Sequence, residues 1–177
     1  LLPWIEQFDA LSMREESGVR MLQSRGMACE WVLDPTLLLE QTDYDKIAEK
    51  RIIDEPYVLL FSWNGAEEAV EITKKVSDKL GCKAFYIVPP PRAMFCGIQR
   101  KLDVGPREFL SLVKYAEFIV TNSFHGTVFS TIYKKPFISA IKGEVDPRRA
   151  SLMKQLGLEN HLISPERMEL STIMETD

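Results

Sequence analysis

From Tyr57 onward, short uninterrupted apolar runs alternate with longer stretches in which apolar residues recur every three or four positions. YVLLFSW (57–63), AFYIVP (84–89), EFIVTNS (117–123) and PFISA (136–140) have strand length and are apolar on both faces. After an Asn64-Gly65 turn, EEAVEITKKVSDKLG places Ala69, Ile72, Val76 and Leu80 on one helical face and stops at Gly81. Pro106 opens a second helix, REFLSLVKYA, with Phe109, Leu112, Val113 and Ala116 facing inward. HGTVFSTIYKK (125–135) reads as a third, RRASLMKQLG after Asp146-Pro147 as a fourth ended by Gly157, and Ser164-Pro165 as the start of a last one. Strands apolar on both faces, separated by amphipathic helices, call for a parallel sheet covered on both sides. The fold class is therefore α/β, doubly wound, with a mostly parallel Rossmann-like sheet.

The first part of the chain is less regular. FDALSMR reads as a strand, EESGVRMLQSR as a helix with acids in its first turn and Val19 and Leu22 inward, Gly26 as its stop, and CEWVLD as another strand. Between Asp34-Pro35 and Pro56 the periodicity weakens around a short helix near Tyr44 to Lys50. This divides the chain into residues 1–40, the tail of an N-terminal α/β domain, a linker over 41–56, and a C-terminal Rossmann-like domain over 57–177. PPPRAMFCGIQRKLDVG (89–105) is too rich in Pro and Gly for a core element and reads as a long loop, a kind of segment that often carries function. The opening LLPWIEQF, without an initiator Met, leads directly into patterned structure, so a fragment of a longer chain is expected.

Composition narrows the partners. At 177 residues, 45% hydrophobic, 27% charged and with a formal net charge of −4, the chain is of ordinary globular type and carries no basic footprint for nucleic acid. No run approaches the roughly 18–20 apolar residues of a membrane helix, nothing reads as a secretory signal, and a cytoplasmic location is expected. Cys29, Cys82 and Cys96 show no C-x-x-C spacing and no neighbouring histidine, which points to buried or incidental thiols rather than a disulfide framework or a metal site. There is no internal repeat, no G-x-G-x-x-G and no G-x-x-x-x-G-K-S/T.

One of the two histidines lies in T-N-S-F-H-G, Thr121 to Gly126, where a strand passes into a helix. In open α/β sheets ligands bind beyond the carboxyl ends of the strands. With Ser123 or Asn122 as cap, the N–H groups of Gly126, Thr127 and Val128 are expected to point into the crevice as an anion site, and Gly126 to let a ligand approach the backbone. The alternative is that Ser123 only caps and His125 is satisfied by a neighbouring carbonyl. His161, in ENHLIS, reads as solvent-facing, and Trp31, Trp63 and the phenylalanines at helical spacing as core.

TNSFHGTVFSTIYKKPFI, preceded by GPREFLSLVKYAEFIV, resembles the signature of the polysaccharide pyruvyl transferase family. LSMREESGVRML is similar to that family's S-x-R-E segment and WVLDPTLLL to its D-P-T-x-L-L segment, in the same order along the chain. The resemblance implies the C-terminal domain of a two-Rossmann-domain, glycosyltransferase-like (GT-B-like) fold, the rest of whose N-terminal domain lies outside this chain. It implies transfer of pyruvate from phosphoenolpyruvate to a saccharide or lipid-linked glycan as a cyclic ketal, in cell-surface polysaccharide biosynthesis, with no metal and no cofactor beyond the donor substrate.

On this resemblance His125 is the acid–base group or a phosphate ligand, since imidazole both gives and takes a proton near neutral pH. Arg14, the S-x-R-E arginine, is the second catalytic candidate and an anion clamp; otherwise it is a surface arginine paired with a helix acid. Ser123, His125, Gly126, Thr127, Arg14 and Arg148 make up the expected phosphoenolpyruvate site. Arg148 and Arg149 stand at a helix start, where a cation opposes the dipole unless an anion lies between; the alternative is solvated surface charge. Glu15 and Glu16 serve their helix's first turn, and Arg92, Arg100 and Lys101 could touch acceptor or phosphate from a segment in which only the closing D-x-G-P matches. Two other readings remain: a nucleotide-sugar-dependent glycosyltransferase of similar fold, and a non-catalytic α/β binding module.

Overall fold

The computed structural model describes residues 2–62, 67–87, 97–100 and 104–168. A short helix α1 (Leu2–Ile5) precedes a two-stranded parallel ribbon, β1 (Ser12–Met13) and β2 (Glu30–Trp31), joined by α2 (Glu16–Gln23). FDALSMR thus pairs over only two residues, Ser12 and Met13. Helix α3 occupies Gln41–Asp45 rather than Tyr44 to Lys50, because the Asp43 carboxylate reaches back to the Glu40 N–H (3.3 Å) and starts the helix early. The stretch 41–56 also feeds the main core, burying Tyr44 and Ile53 against Leu110, Val113 and Tyr133.

The main sheet contains β3 (Tyr57–Phe61), β4 (Lys83–Tyr86), β5 (Gln99–Arg100), β6 (Phe118–Thr121), β7 (Phe137–Ala140) and β8 (Leu162–Ile163). All pair in parallel, in the order β5-β4-β3-β6-β7-β8. The chain builds outward from β3 to one edge, returns to lay β6 on the other side of β3, and continues to the opposite edge. That reversal puts the topological switch point at the carboxyl ends of β3 and β6. Helix α4 (Glu67–Leu80) covers one face, packing Ala69, Ile72 and Val76 on Val58, Leu60 and Val120. Helices α5 (Pro106–Tyr115), α6 (Phe124–Ile132) and α7 (Pro147–Leu156) cover the other, over Tyr57, Leu59, Ile119 and Phe137. Alternate strand residues therefore feed two cores, which is why the strands read as continuous apolar runs.

Several expectations change. A core element does occur inside 89–105: β5 extends the sheet beside β4, and Ile98 is buried; the segment's Arg92, Cys96 and Lys101 lie outside the described residues, as do Trp63 and Asn64-Gly65. Ser164-Pro165 starts a single 3-10 turn to Arg167, the described chain ending at residue 168. Leu80 ends α4 exposed, and Trp31 is only half-buried, under the Lys154 ammonium. His161 is not solvent-facing. It is 8% exposed, stacks on the Phe137 ring (4.5 Å) and donates from Nδ1 to the Phe137 carbonyl (3.0 Å), tying β7 to the approach to β8.

Among the described glycines, the one with least room for a side chain lies at the switch point. Thr121 Oγ1 donates to the Phe61 carbonyl (2.6 Å), joining the ends of β6 and β3, and accepts the Ser123 N–H (3.0 Å). A Cβ on Gly126 would overlap Thr121 Oγ1 and stand 2.9 Å from Phe61 Cδ1. Gly126 is thus required for helix–strand contact. Overfilling such a site costs about 1–3 kcal/mol, so Gly126→Ala is expected to lower the urea midpoint of unfolding by that free energy, with the m-value unchanged.

Candidate active site

Helix α6 starts at the switch point, and its N-terminus is built by the turn that precedes it. Ser123 is the cap: its Oγ accepts the Gly126 N–H (3.4 Å), and its carbonyl accepts the Thr127 N–H (3.1 Å) and Thr127 Oγ1 (3.2 Å). The Gly126 and Thr127 donors expected to be free are therefore used inside the turn. The groups that helix geometry leaves without an intrahelical acceptor are the N–H groups one step earlier, on Phe124 and His125. The positive end of the helix dipole thus lies toward the histidine. His125 is exposed and Phe124 buried, so the turn presents an imidazole on an apolar floor.

Two distant segments reach this floor. The Arg14 guanidinium carbon lies 4.6 Å from the Phe124 ring centroid, and the His125 ring meets the same phenyl edge-on at 5.4 Å. Arg14 Nη1 is ion-paired with Asp34 Oδ2, while Asp34 Oδ1 accepts both the Thr36 hydroxyl and the Thr36 N–H (2.9 Å). The Arg14 side chain is 36% exposed and the Asp34 side chain 5%, so one edge of the guanidinium fork is buried against the carboxylate while the residue still reaches solvent. Arg14 is thus held on two sides, by a carboxylate and by an aromatic face, with its orientation fixed before any ligand arrives. Burial pushes the Asp34 carboxyl up, but the Thr36 hydrogen bonds and the Arg14 charge outweigh it and hold the group below the usual carboxylate range.

The N-terminal piece is anchored in this geometry by α7 and α6. Glu16 N–H donates to Ser151 Oγ (3.0 Å), the Glu16 carboxylate pairs with Lys154 (2.9 Å) and Arg20 (2.6 Å), and Leu37 packs with Phe124, Val128 and Leu152. Glu16 does sit in the first turn of α2, but its partners show it also fastens that helix to α7. Glu15 is the α2 cap residue, without a side-chain cap bond.

The structure thus brings Arg14, Ser123 and His125 to one corner, and Gly126 and Thr127 lie beneath it as buried packing residues. Arg148 is not drawn in: its fork is closed on Asp146, with Nε to Oδ1 (3.1 Å) and Nη2 to Oδ2 (2.7 Å), at the surface. Sequence reasoning missed Asp34 and Phe124 as members of the site. Both stood inside quoted motifs, D-P-T and S-F-H-G, and the signal available was that each motif held one residue able to grip an arginine.

The Asp34 pair should govern acid stability. Because its folded-state pKa is depressed, its contribution is fully present above the ordinary carboxylate range and is lost as pH falls through the lowered value. Asp34→Asn is expected to destabilise the protein by about 1–2 kcal/mol at neutral pH. In thermal melts across pH 2–7, roughly the span on either side of carboxylate titration, the gap between wild type and variant should close toward the acid end.

No curated protein matches the chain. Among solved structures that do, the crystal structure of Methanocaldococcus jannaschii UDP-GlcNAc 2-epimerase in complex with UDP-GlcNAc and UDP superposes with a TM-score of 0.38 and 17% sequence identity, over 68% of this chain and 35% of that one. The chain therefore spans about a third of that structure's length. A family model described as polysaccharide pyruvyl transferase matches residues 3–141, a span that holds Arg14, Asp34, Phe124 and His125 and runs to the end of β7. The chain belongs to the polysaccharide pyruvyl transferase family.

Proposed function

We propose that this chain serves a transferase that moves pyruvate from phosphoenolpyruvate to a saccharide or lipid-linked glycan, forming a ketal during cell-surface polysaccharide synthesis in the cytoplasm. The observation that carries the reading is the exposed His125 at the α6 N-terminus, sharing the Phe124 ring with a pre-oriented Arg14. On this reading residues 1–40 end the N-terminal domain, whose remainder would form the acceptor side of the cleft.

The chemistry asks for a proton at the methylene carbon, stabilisation of cationic character at the adjacent carbon, and departure of phosphate with the electron pair of its C–O bond. One sugar hydroxyl bonds that carbon and loses its proton; a second hydroxyl closes the ketal in the same way. His125 is suited to deliver the first proton or to receive one from a hydroxyl. Arg14 and the α6 N-terminus supply the anion side, the guanidinium by a planar fork and the helix by its dipole, which stabilises phosphate as negative charge accumulates on it. Ser123 fixes the turn that aims His125, Thr127 braces it from below, and Arg148 would join only by exchanging Asp146 for the ligand.

The test follows phosphate release from phosphoenolpyruvate by the full-length chain with candidate glycans. His125→Ala is expected to cut kcat by roughly a hundredfold or more, and Arg14→Lys to raise KM for phosphoenolpyruvate about tenfold as a bidentate fork becomes a point charge. Wild-type turnover by His125→Ala would remove the histidine from the mechanism. Binding of a nucleotide sugar without phosphoenolpyruvate would replace the reading by a glycosyltransferase.

A further inference from the structure

Arg14 is held at its side chain by Asp34 and Phe124, but its backbone is also held, and the hold runs back to α7. The Arg14 carbonyl accepts the Trp31 Nε1–H (3.3 Å) from β2, where Trp31 is the register partner of Met13. Two residues after Arg14, the Glu16 N–H donates to Ser151 Oγ (3.0 Å). Both supports meet at one ammonium: Lys154 Nζ lies 2.9 Å from Glu16 Oε2 and 5.3 Å from the centre of the Trp31 ring. Lys154 stands in the last turn of α7, beyond the segment that the family model matches.

This contact matters because the N-terminal segment does not share a core with the main sheet. Among the described residues, Val19, Leu22 and Cys29 pack with Met13, Met27 and Trp31 in a small cluster that takes no residue from the main domain. Leu37 gives the segment an apolar hold on α6 and α7. At α2 the hold is polar, made by Ser151 and Lys154. A groove of about 450 Å³ runs between α2 and α7, lined by Glu16, Arg20, Ala150 and Lys154, so close packing does not set the angle between the helices there. The Lys154 side chain is 51% exposed, and an ion pair or ring contact at such a site adds little to stability. Position is another matter, since a misplacement of about 1 Å in a substrate-positioning group can lower a rate on the order of a hundredfold.

We propose that Lys154 is a positioning residue for Arg14: by gripping Glu16 and Trp31 together, it sets the backbone from which the guanidinium reaches the Phe124 ring. The ligand half of the proposal rests on the pyruvyl-transfer reading. There Lys154 raises phosphoenolpyruvate affinity through Arg14 without touching the donor, its ammonium being already engaged by a carboxylate and a ring.

The test uses the full-length chain with Lys154→Met, which keeps the aliphatic stem, Lys154→Arg, which keeps the cation, and Trp31→Phe, which keeps a ring but loses the donor to the Arg14 carbonyl. Two quantities are read: the Arg14 Nε–H resonance without ligand, and the calorimetric affinity for phosphoenolpyruvate at constant ionic strength. Lys154→Met and Trp31→Phe are each expected to move the Arg14 signal and to weaken phosphoenolpyruvate binding about fivefold, with melting near wild type. Lys154→Arg should restore both. In an Arg14→Lys background, Lys154→Met is expected to cost no further affinity, because a residue that acts through Arg14 falls silent once the fork is gone. Equal losses in the two backgrounds would make Lys154 a direct electrostatic partner of the donor and overturn the proposal, as would an Arg14 signal indifferent to both variants. If Lys154→Met does not fold, Trp31→Phe decides, since it changes no charge. An Arg14 signal that follows Lys154 in a protein that binds no phosphoenolpyruvate keeps the positioning role and sinks the pyruvyl-transfer reading; phosphoenolpyruvate binding that ignores Lys154 does the reverse.

Discussion

A single hydroxyl governs the carboxyl edge of the sheet. Thr121 Oγ1 joins β6 to β3 through the Phe61 carbonyl, receives the Ser123 N–H, and leaves no room for a side chain at Gly126. Those three constraints fix how α6 leaves the switch point, and hence that Phe124 points into the protein while His125 points out of it. Everything proposed for the site follows from that divergence of neighbouring side chains: the buried phenyl becomes a platform for Arg14, and the exposed imidazole is left free for chemistry.

The arginines around this edge differ in how fully the protein compensates their charge. Arg148 is neutralised by the cap of its own helix and stays at the surface. Arg14 is half neutralised, with Asp34 on one side and a phenyl face beneath, which orients the fork without surrounding it. Among the described residues, Arg149 is buried with hydroxyl and carbonyl partners alone. The less a guanidinium is compensated by the protein, the more of its charge remains to bind an anion.

Much of this was legible in the chain. Apolar runs at 57–61, 118–121 and 137–140 announced strands buried on both faces, and Ser123 before an apolar helix announced its cap. What escaped depended on contacts across space. β5 is a two-residue edge strand of polar residues, which no periodicity marks. His161 follows Glu159 and Asn160 in sequence, but its partner Phe137 arrives from a strand 24 positions away. Arg148 and Arg149 are identical in type and lie about 100° apart on one helix, so only the packing of α7 on β7 decides which one enters the interior. Asp34 and Phe124 stood inside quoted motifs, but only the fold shows that both close on Arg14.

The central claim is that His125 and Arg14 border one site for a phosphate-bearing three-carbon donor. The most direct measurement is a nuclear magnetic resonance titration of the full-length chain, following the His125 Cε1–H and Arg14 Nε–H signals as phosphoenolpyruvate and, separately, a nucleotide sugar are added. The account expects both signals to move together with phosphoenolpyruvate and to saturate at one dissociation constant. Signals that stay fixed while phosphoenolpyruvate binds, or that answer only to the nucleotide sugar, would contradict it.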